Sequence, residues 1–192
     1  MNKPNRYELR QTPLHLAARG DHPELIRILV AHGATVDFKA FFDHTPLHEA
    51  ALFGKSQAAK VLLELGADIT GVPDELGYTP AFLVRNLDCM KAFIDAGFDI
   101  NTRGSNGSTI LHSAVDCGVA MVEYLLGQQE AVTLVNAQDS NGATPLHLTR
   151  DPDTISALMR HGADIEVKDN NGYSWFEKPV GYFSARRGQK VG

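Results

Sequence analysis

The sequence predicts an all-α repeat solenoid, a stack of short helix pairs in which each pair covers the next. A Thr-Pro phrase recurs along the chain: "TPLHLAARG" begins at Thr12, "TPLHEAALFG" at Thr45, "TPAFLV" at Thr79, "TILHSAVDCG" at Thr109 and "TPLHLTR" at Thr144, at intervals of 33, 34, 30 and 35 residues. A second phrase follows four of the five: "AHGATVD", "ELGADIT", "DAGFDIN" and "RHGADIE". Self-similarity at this period marks repeat architectures. Composition agrees, since 43% hydrophobic and 21% charged residues suit a folded chain rather than a disordered one.

Each phrase has a mechanical meaning. Thr12 offers a side-chain oxygen to the free N–H groups of a helix start, and Pro13 fits the first helical position, where its missing N–H costs nothing. Leu14, Ala17 and Ala18 follow at helical spacing. "GDHPE" breaks that helix and starts a second, in which Leu25, Ile26, Ile28 and Leu29 form the apolar side. Gly33 suits the left-handed position just past its end. A repeat is therefore helix, turn, helix and an extended loop. Neither helix can bury its apolar face alone, so neighbouring repeats must stack.

Departures from the pattern mark irregular places. From capping Thr to closing Gly is 21 residues in repeats one and two and 18 in repeats three and five. The missing residues fall around "LVRNLDC" and "LTRDPDT", so the turn between the helices, or the end of the first helix, is expected to be short there. Repeat four lacks the closing Gly within "LLGQQEAVTLVNAQD", so its second helix is expected to run on or bulge. After Asp169, "NNGYSWFEKPVGYF" begins a sixth repeat in which Pro179 interrupts the helix. Residues 170 to 183 are expected to form a closing cap, with Trp175 and Phe176 covering repeat five.

The pattern resembles the ankyrin-repeat family, over about Tyr7 to Asp169. The repeats run approximately 7–39, 40–73, 74–103, 104–138 and 139–168, with a cap and tail at 169–192, in a single domain of 1–192. "DSNGATPLH", from Asp139 to His147, is the closest copy of the family's finger-plus-helix phrase. The resemblance implies antiparallel helix pairs joined by hairpin-like fingers, and a concave face of finger tips and first helices that grips partner proteins. It also gives Thr12, Pro13, His15, Thr45, Pro46, His48, Thr79, Pro80, Thr109, His112, Thr144, Pro145 and His147 an architectural role, with each His tying the capping Thr to neighbouring backbone. Asn101 and Asn136 resemble positions that can be hydroxylated in the family.

Composition narrows the function. No stretch approaches the roughly 20 apolar residues of a membrane-spanning helix. Two cysteines, Cys89 and Cys117, stand in no metal-like spacing, which suits a reduced, cytoplasmic compartment. A formal net charge of -5 argues against nucleic acid and slightly favours a basic partner. No phosphate loop, nucleophile elbow or zinc-helix motif occurs. Eight histidines invite a metal or catalytic reading. Yet four of them hold equivalent places in helices about 8–10 Å apart, too far to share a zinc bound at about 2.0–2.1 Å. His32 and His161 fit helix ends, where imidazole can bond free carbonyls.

Aligned on their Thr, the repeats place Phe41, Phe42 and His44 on the second finger and Glu75, Leu76 and Tyr78 on the third. Leu52 and Phe53 fall at the end of the first helix of repeat two. The fingers of repeats four and five are small and polar, with Asn106 on the fourth, while Asp116 ends that repeat's first helix. These ten residues are the candidate partner contacts. Successive residues of an extended strand point opposite ways, so one ring of Phe41 and Phe42 is expected to pack inward and the other to face a partner. An exposed aromatic cluster with a polar rim is what a protein-binding hot spot looks like.

The expected function is a non-enzymatic binding module without cofactor or metal, monomeric alone, that masks or sequesters a partner protein. With no second domain in this sequence, masking is favoured over delivery of an attached activity. One alternative is a portion of a larger ankyrin-containing protein with its activity elsewhere, although the broken sixth repeat and short tail favour a natural C-terminus. The other is a metal-dependent or enzymatic protein that uses the histidines.

Overall fold

The computed structural model describes residues 11–70, 73–74, 77–128 and 133–177. Among these residues the chain is an all-α repeat solenoid with eight α-helices and no strand: α1 (Pro13–Arg19), α2 (Pro23–Ala31), α3 (Pro46–Leu52), α4 (Ser56–Glu64), α5 (Leu87–Asp95), α6 (Ile110–Ala114), α7 (Val119–Leu126) and α8 (Pro152–Arg160). It divides into two compact bodies, Met1–Ser105 and Asn106–Gly192. The N-terminal body holds repeats one to three, and the C-terminal body holds repeats four and five with the start of the cap.

In the N-terminal body α1 packs on α2 and α3, α3 on α4, and α4 on α2 and α5. Leu14, Ile26, Leu47, Leu62 and Phe93 are fully buried between these layers, and small residues such as Ala17, Ala18, Ala50 and Ala51 let the helices approach closely. Leu25 and Ile28, expected on the apolar side of α2, are 43% and 55% exposed. The reason is stacking: their equivalents in repeat two, Ala58 and Val61, are buried on a helix that packs against α2. In the C-terminal body Leu111, Leu125, Leu126, Leu146 and Leu158 play the core role.

Repeats three and five resolve their missing residues in the first helix. Each has only a single 3-10 turn there, Pro80–Leu83 and Pro145–Leu148. The chain then turns extended at Val84 and Thr149 and enters the second helix through a side-chain cap. Asn86 accepts from the Cys89 N–H at 2.8 Å, and Asp151 from the Thr154 N–H at 2.9 Å. In repeat four, α7 ends at Gly127 and does not run on; residues 129–132 lie outside the described residues. Gly33, Gly66, Gly97 and Gly162 close their repeats at φ between 86° and 91°. Nothing would crowd a Cβ at these four glycines, so the left-handed backbone alone selects Gly.

The Thr-x-x-His phrase forms a rung. The N–H of Thr12, Thr45, Thr109 and Thr144 donates to Nδ1 of His15, His48, His112 and His147 at 3.0–3.3 Å, and each Thr hydroxyl lies 2.8 Å from the same nitrogen. The opposite nitrogen, Nε2, reaches the next repeat: His15 to the His44 carbonyl at 3.0 Å, His48 to Tyr78 at 3.1 Å, His112 to Ala143 at 2.9 Å and His147 to Tyr173 at 3.2 Å. An Nδ1 that accepts and an Nε2 that donates define one neutral tautomer. Repeat three carries Phe82 in this place, which packs edge-on to Phe98 with centroids 6.5 Å apart and planes at 87°.

Trp175 of the expected cap reaches back to repeat five. Trp175 Nε1 donates to the Thr149 carbonyl at 3.2 Å, and Arg150 lies 5.2 Å from the indole centre while donating to the Trp175 carbonyl at 2.8 Å. Phe176, expected to cover repeat five with it, is 57% exposed. Residues 178–183 lie outside the described residues.

Two outcomes follow from the rungs. His112→Ala leaves the Thr109 N–H and Ala143 carbonyl without their imidazole partner and is expected to cost roughly 2–4 kcal/mol in urea unfolding. Acid attacks the same bonds. Burial lowers the His15 pKa and brings that of His48 to about 4, so an unfolded chain gains protons below pH 6.5 that the folded chain refuses. Stability is full above 6.5 and falls as pH drops towards the folded value; a loss of roughly 1–2 kcal/mol between pH 6.5 and 5 is expected. Unchanged urea midpoints over that interval would contradict it.

Candidate functional site

The site is built where repeats two and three leave aromatic residues at finger and helix ends. In the fifth and sixth fingers an aspartate organises the turn: Asp139 accepts from the Asn141 and Ala143 N–H groups at 2.8 and 3.0 Å, and Asp169 from Asn171 and Tyr173 at 2.9 and 3.1 Å. Asp74 holds the same place in the third finger and accepts from the Tyr78 N–H at 2.8 Å. The glycine three residues after each aspartate, Gly77, Gly142 or Gly172, takes φ between 72° and 82°.

The second finger departs from this at both positions. Ala40 stands where the aspartate would be and can accept nothing through its side chain. Asp43 stands where the glycine would be and is held at φ 59°, with Phe42 beside it at φ 57°. Two adjacent left-handed non-glycine residues, one aromatic, are an uncommon and strained backbone, of order 1–3 kcal/mol each. Backbone bonds close the turn: the Ala40 N–H to the His44 carbonyl at 2.8 Å, and the Asp43 N–H to Ala40 at 3.2 Å.

That turn alters the expectation for the paired rings. Phe41 and Phe42 do not split into one packed and one exposed residue. Both are partly buried, and their rings lie against each other with centroids 3.8 Å apart at 53°. Alternation along an extended strand fails because Phe41–Asp43 is a tight turn and not a strand. Phe53 is 41% exposed, with the Arg19 guanidinium 4.4 Å from its ring centre, a cation–π contact between the ends of α1 and α3. Leu52 and Tyr78 are partly exposed.

His44 departs from the expected surface contact. Only 9% of it is exposed, and its ring sits between two carboxylates, Glu49 Oε1 and Asp74 Oδ2, each 3.3 Å away. It stacks on His48 with centroids 5.3 Å apart and planes at 11°. A buried, paired group cannot meet a partner directly; His44 is a support beneath the finger. Sequence reasoning missed Glu49 and Asp74 as its companions, and also Arg19 over Phe53. The available signal was the double departure from the finger pattern, Ala40 for Asp and Asp43 for Gly.

Glu75 and Leu76 lie outside the described residues. Asn106 and Asp116 belong to the C-terminal body. There Asn106 is partly buried and accepts from the Ser108 N–H at 3.1 Å, and Asp116 is exposed. Of the groups that could do chemistry, Cys89 is fully buried, and burial pushes its thiol up to about 12, so it is a packing residue. Among the described residues no group of three or more His, Cys, Asp or Glu could hold a metal ion, and no helix is long and apolar enough to cross a membrane.

A family profile described as ankyrin repeats (3 copies) matches residues 1–72 and 80–169. The chain belongs to the ankyrin-repeat family. It is 31% identical over 182 residues to human SH3 and multiple ankyrin repeat domains protein 2, covering 90% of this chain and 10% of that protein. It is 30% identical over 174 residues to the chicken nuclear factor NF-kappa-B p105 subunit, covering 85% of this chain and 18% of that one. The chain thus spans less than a fifth of the length of these relatives. Among solved structures, a chain from the complex of the Bd0816 predatory endopeptidase of Bdellovibrio bacteriovorus with immunity protein Bd3460 superposes with a TM-score of 0.72 at 22% identity. That match covers 86% of this ankyrin chain and 89% of the other, and shows the same fold.

The exposure of Phe53 sets an expectation that any binding test needs. Phe53→Ala is expected to cost no more than about 1 kcal/mol, whereas Phe93→Ala, in the core, costs roughly 3–5 kcal/mol. Comparison of urea midpoints for the two variants checks it.

Proposed function

We propose that this ankyrin chain is a non-enzymatic binding module that masks or sequesters a partner protein through the finger and first-helix face of repeats two and three. Repeats of this family serve protein–protein interaction. The observation that carries the placement is the aromatic group left at the surface of repeat two: the Phe41–Phe42 pair on a strained finger, and Phe53 at the end of α3. Covering an aromatic ring with a partner contributes roughly 1.5–3 kcal/mol, and Arg19 supplies a charged edge to the patch. The repeated histidines are engaged in rungs, and His44 in an ion-paired support, so we assign the partner contact to the surface aromatics instead.

A second reading is that the chain is one binding module of a longer ankyrin-containing protein. The much greater length of the curated relatives favours it. Both readings share the same face.

The test compares wild type with Phe42→Ala, Phe53→Ala and Asn106→Ala. Affinity capture from source-cell lysate, with the double variant Phe42→Ala/Phe53→Ala as control, supplies the partner, and calorimetry then measures each variant. Either phenylalanine substitution is expected to weaken binding by about tenfold or more with circular dichroism unchanged, and Asn106→Ala by less than about threefold. Equal affinities for the three variants would remove the placement.

A further inference from the structure

Both ring nitrogens of His44 face carboxylates, Nδ1 towards Glu49 and Nε2 towards Asp74, each at 3.3 Å. A neutral imidazole carries one N–H and can serve only one of them; an imidazolium serves both. The three residues come from three elements: the second finger, α3 and the third finger. From this geometry we propose that His44 is a proton-operated latch, closed as imidazolium, whose loss of a proton frees the second finger from α3 and the third finger.

The surroundings fit a device balanced on one proton. The cluster holds two carboxylates for one cation, and Glu49 Oε2 is buried with no hydrogen-bond partner. Loss of the His44 proton removes the charge from between two buried carboxylates and leaves one ring N–H where there were two, so one of the two 3.3 Å contacts that tie the second finger is lost. The described titratable groups on the adjoining elements have bonds of their own. His48 on α3 is stacked on the ring but is committed as a neutral acceptor to the Thr45 N–H. His15 on α1 accepts from the Thr12 N–H through Nδ1 and donates to the His44 carbonyl through Nε2, and it lies within electrostatic reach of both Glu49 and His44. Lys39 is exposed and pairs with Asp43 at 3.3 Å on the finger itself.

The finger also stores strain that its release relieves: it lacks the aspartate that organises the third, fifth and sixth fingers, and it holds Phe42 and Asp43 left-handed. Since the finger carries Phe41 and Phe42, the proton on His44 fixes where those rings stand.

The direction in pH follows from the balance at the ring. Burial lowers the His44 pKa, but its bonds and charge contacts with Glu49 and Asp74 together outweigh burial and raise it above 6.5. The latch is therefore closed below pH 6.5 and opens as pH rises through the raised folded value. This window lies above the one in which the neutral rungs fail, so the two effects are separable.

The experiment uses the full chain without a partner. NMR follows the His44 Cε1–H resonance from pH 5 to 9, and hydrogen exchange, corrected for the intrinsic rate, follows the Asp43 and His44 amides. The expected result is a His44 midpoint above 6.5 and a fall of at least tenfold in protection of both amides through that midpoint. The Gly142 amide of the fifth finger keeps its protection. In Asp74→Asn, which keeps the side chain's size, the midpoint and the loss of protection move together to lower pH. A His44 midpoint below 6.5, unchanged protection across it, or a loss of protection that stays in place while the midpoint moves would each overturn the latch.

Discussion

The structure depends on an imidazole that bonds in two directions at once. An ordinary capping box places Glu or Gln three residues after the cap, where it returns to the cap's N–H and ends there. Ser174 and Glu177 show that return, with Glu177 Oε2 accepting from the Ser174 N–H at 3.0 Å. Histidine at the same position does the same work with Nδ1 and still has Nε2–H pointing the other way. That second bond, to the carbonyl just before the next repeat's threonine, joins helix start to finger base and sets the spacing of one repeat on another. Leucine stripes alone would permit sliding; a buried donor with a single buried acceptor does not.

This requirement takes four of the eight histidines out of metal or acid–base chemistry. A ring whose Nδ1 accepts two donors and whose Nε2 donates has no lone pair left for a metal or a substrate proton. The four rung histidines are thus committed by geometry, and burial keeps His48 neutral. The remaining interest lies where the pattern lapses, since a repeat protein repeats what its architecture needs. Phe82 in place of a rung histidine, and the second finger without its aspartate and glycine, are such lapses.

Much of the fold was legible in the sequence because its determinants are local and repeated. Threonine before proline, glycine at the close and small residues in the first helix each act within a few positions, so their recurrence fixes helix starts, ends and stacking order. The shortened first helices of repeats three and five were legible as a missing length, although sequence left open which element would shrink. The candidate site was legible only in outline. Phe53 is exposed as expected, but the placement of Phe41 and Phe42 depended on a turn with two left-handed residues that a strand-like reading of the finger could not supply. His44 was misjudged for a different reason. Its burial comes from Asp74, 30 residues away in the next finger, a contact that no local pattern announces.

His44 and His48 show how one scaffold sets opposite demands on the same side chain. Their rings stack 5.3 Å apart, yet one is bonded so that only the neutral form fits, and the other so that only the cation satisfies both neighbours. The difference lies in the partners: backbone N–H and C=O groups for His48, two carboxylates for His44. Each choice reinforces the other, because a second imidazolium beside the first would repel it, and the neutral His48 ring lets the adjacent charge persist. The rung is therefore more than a tie between repeats. By keeping His48 neutral it permits a cation at the base of the second finger, and the aromatic face of repeat two stands on that cation.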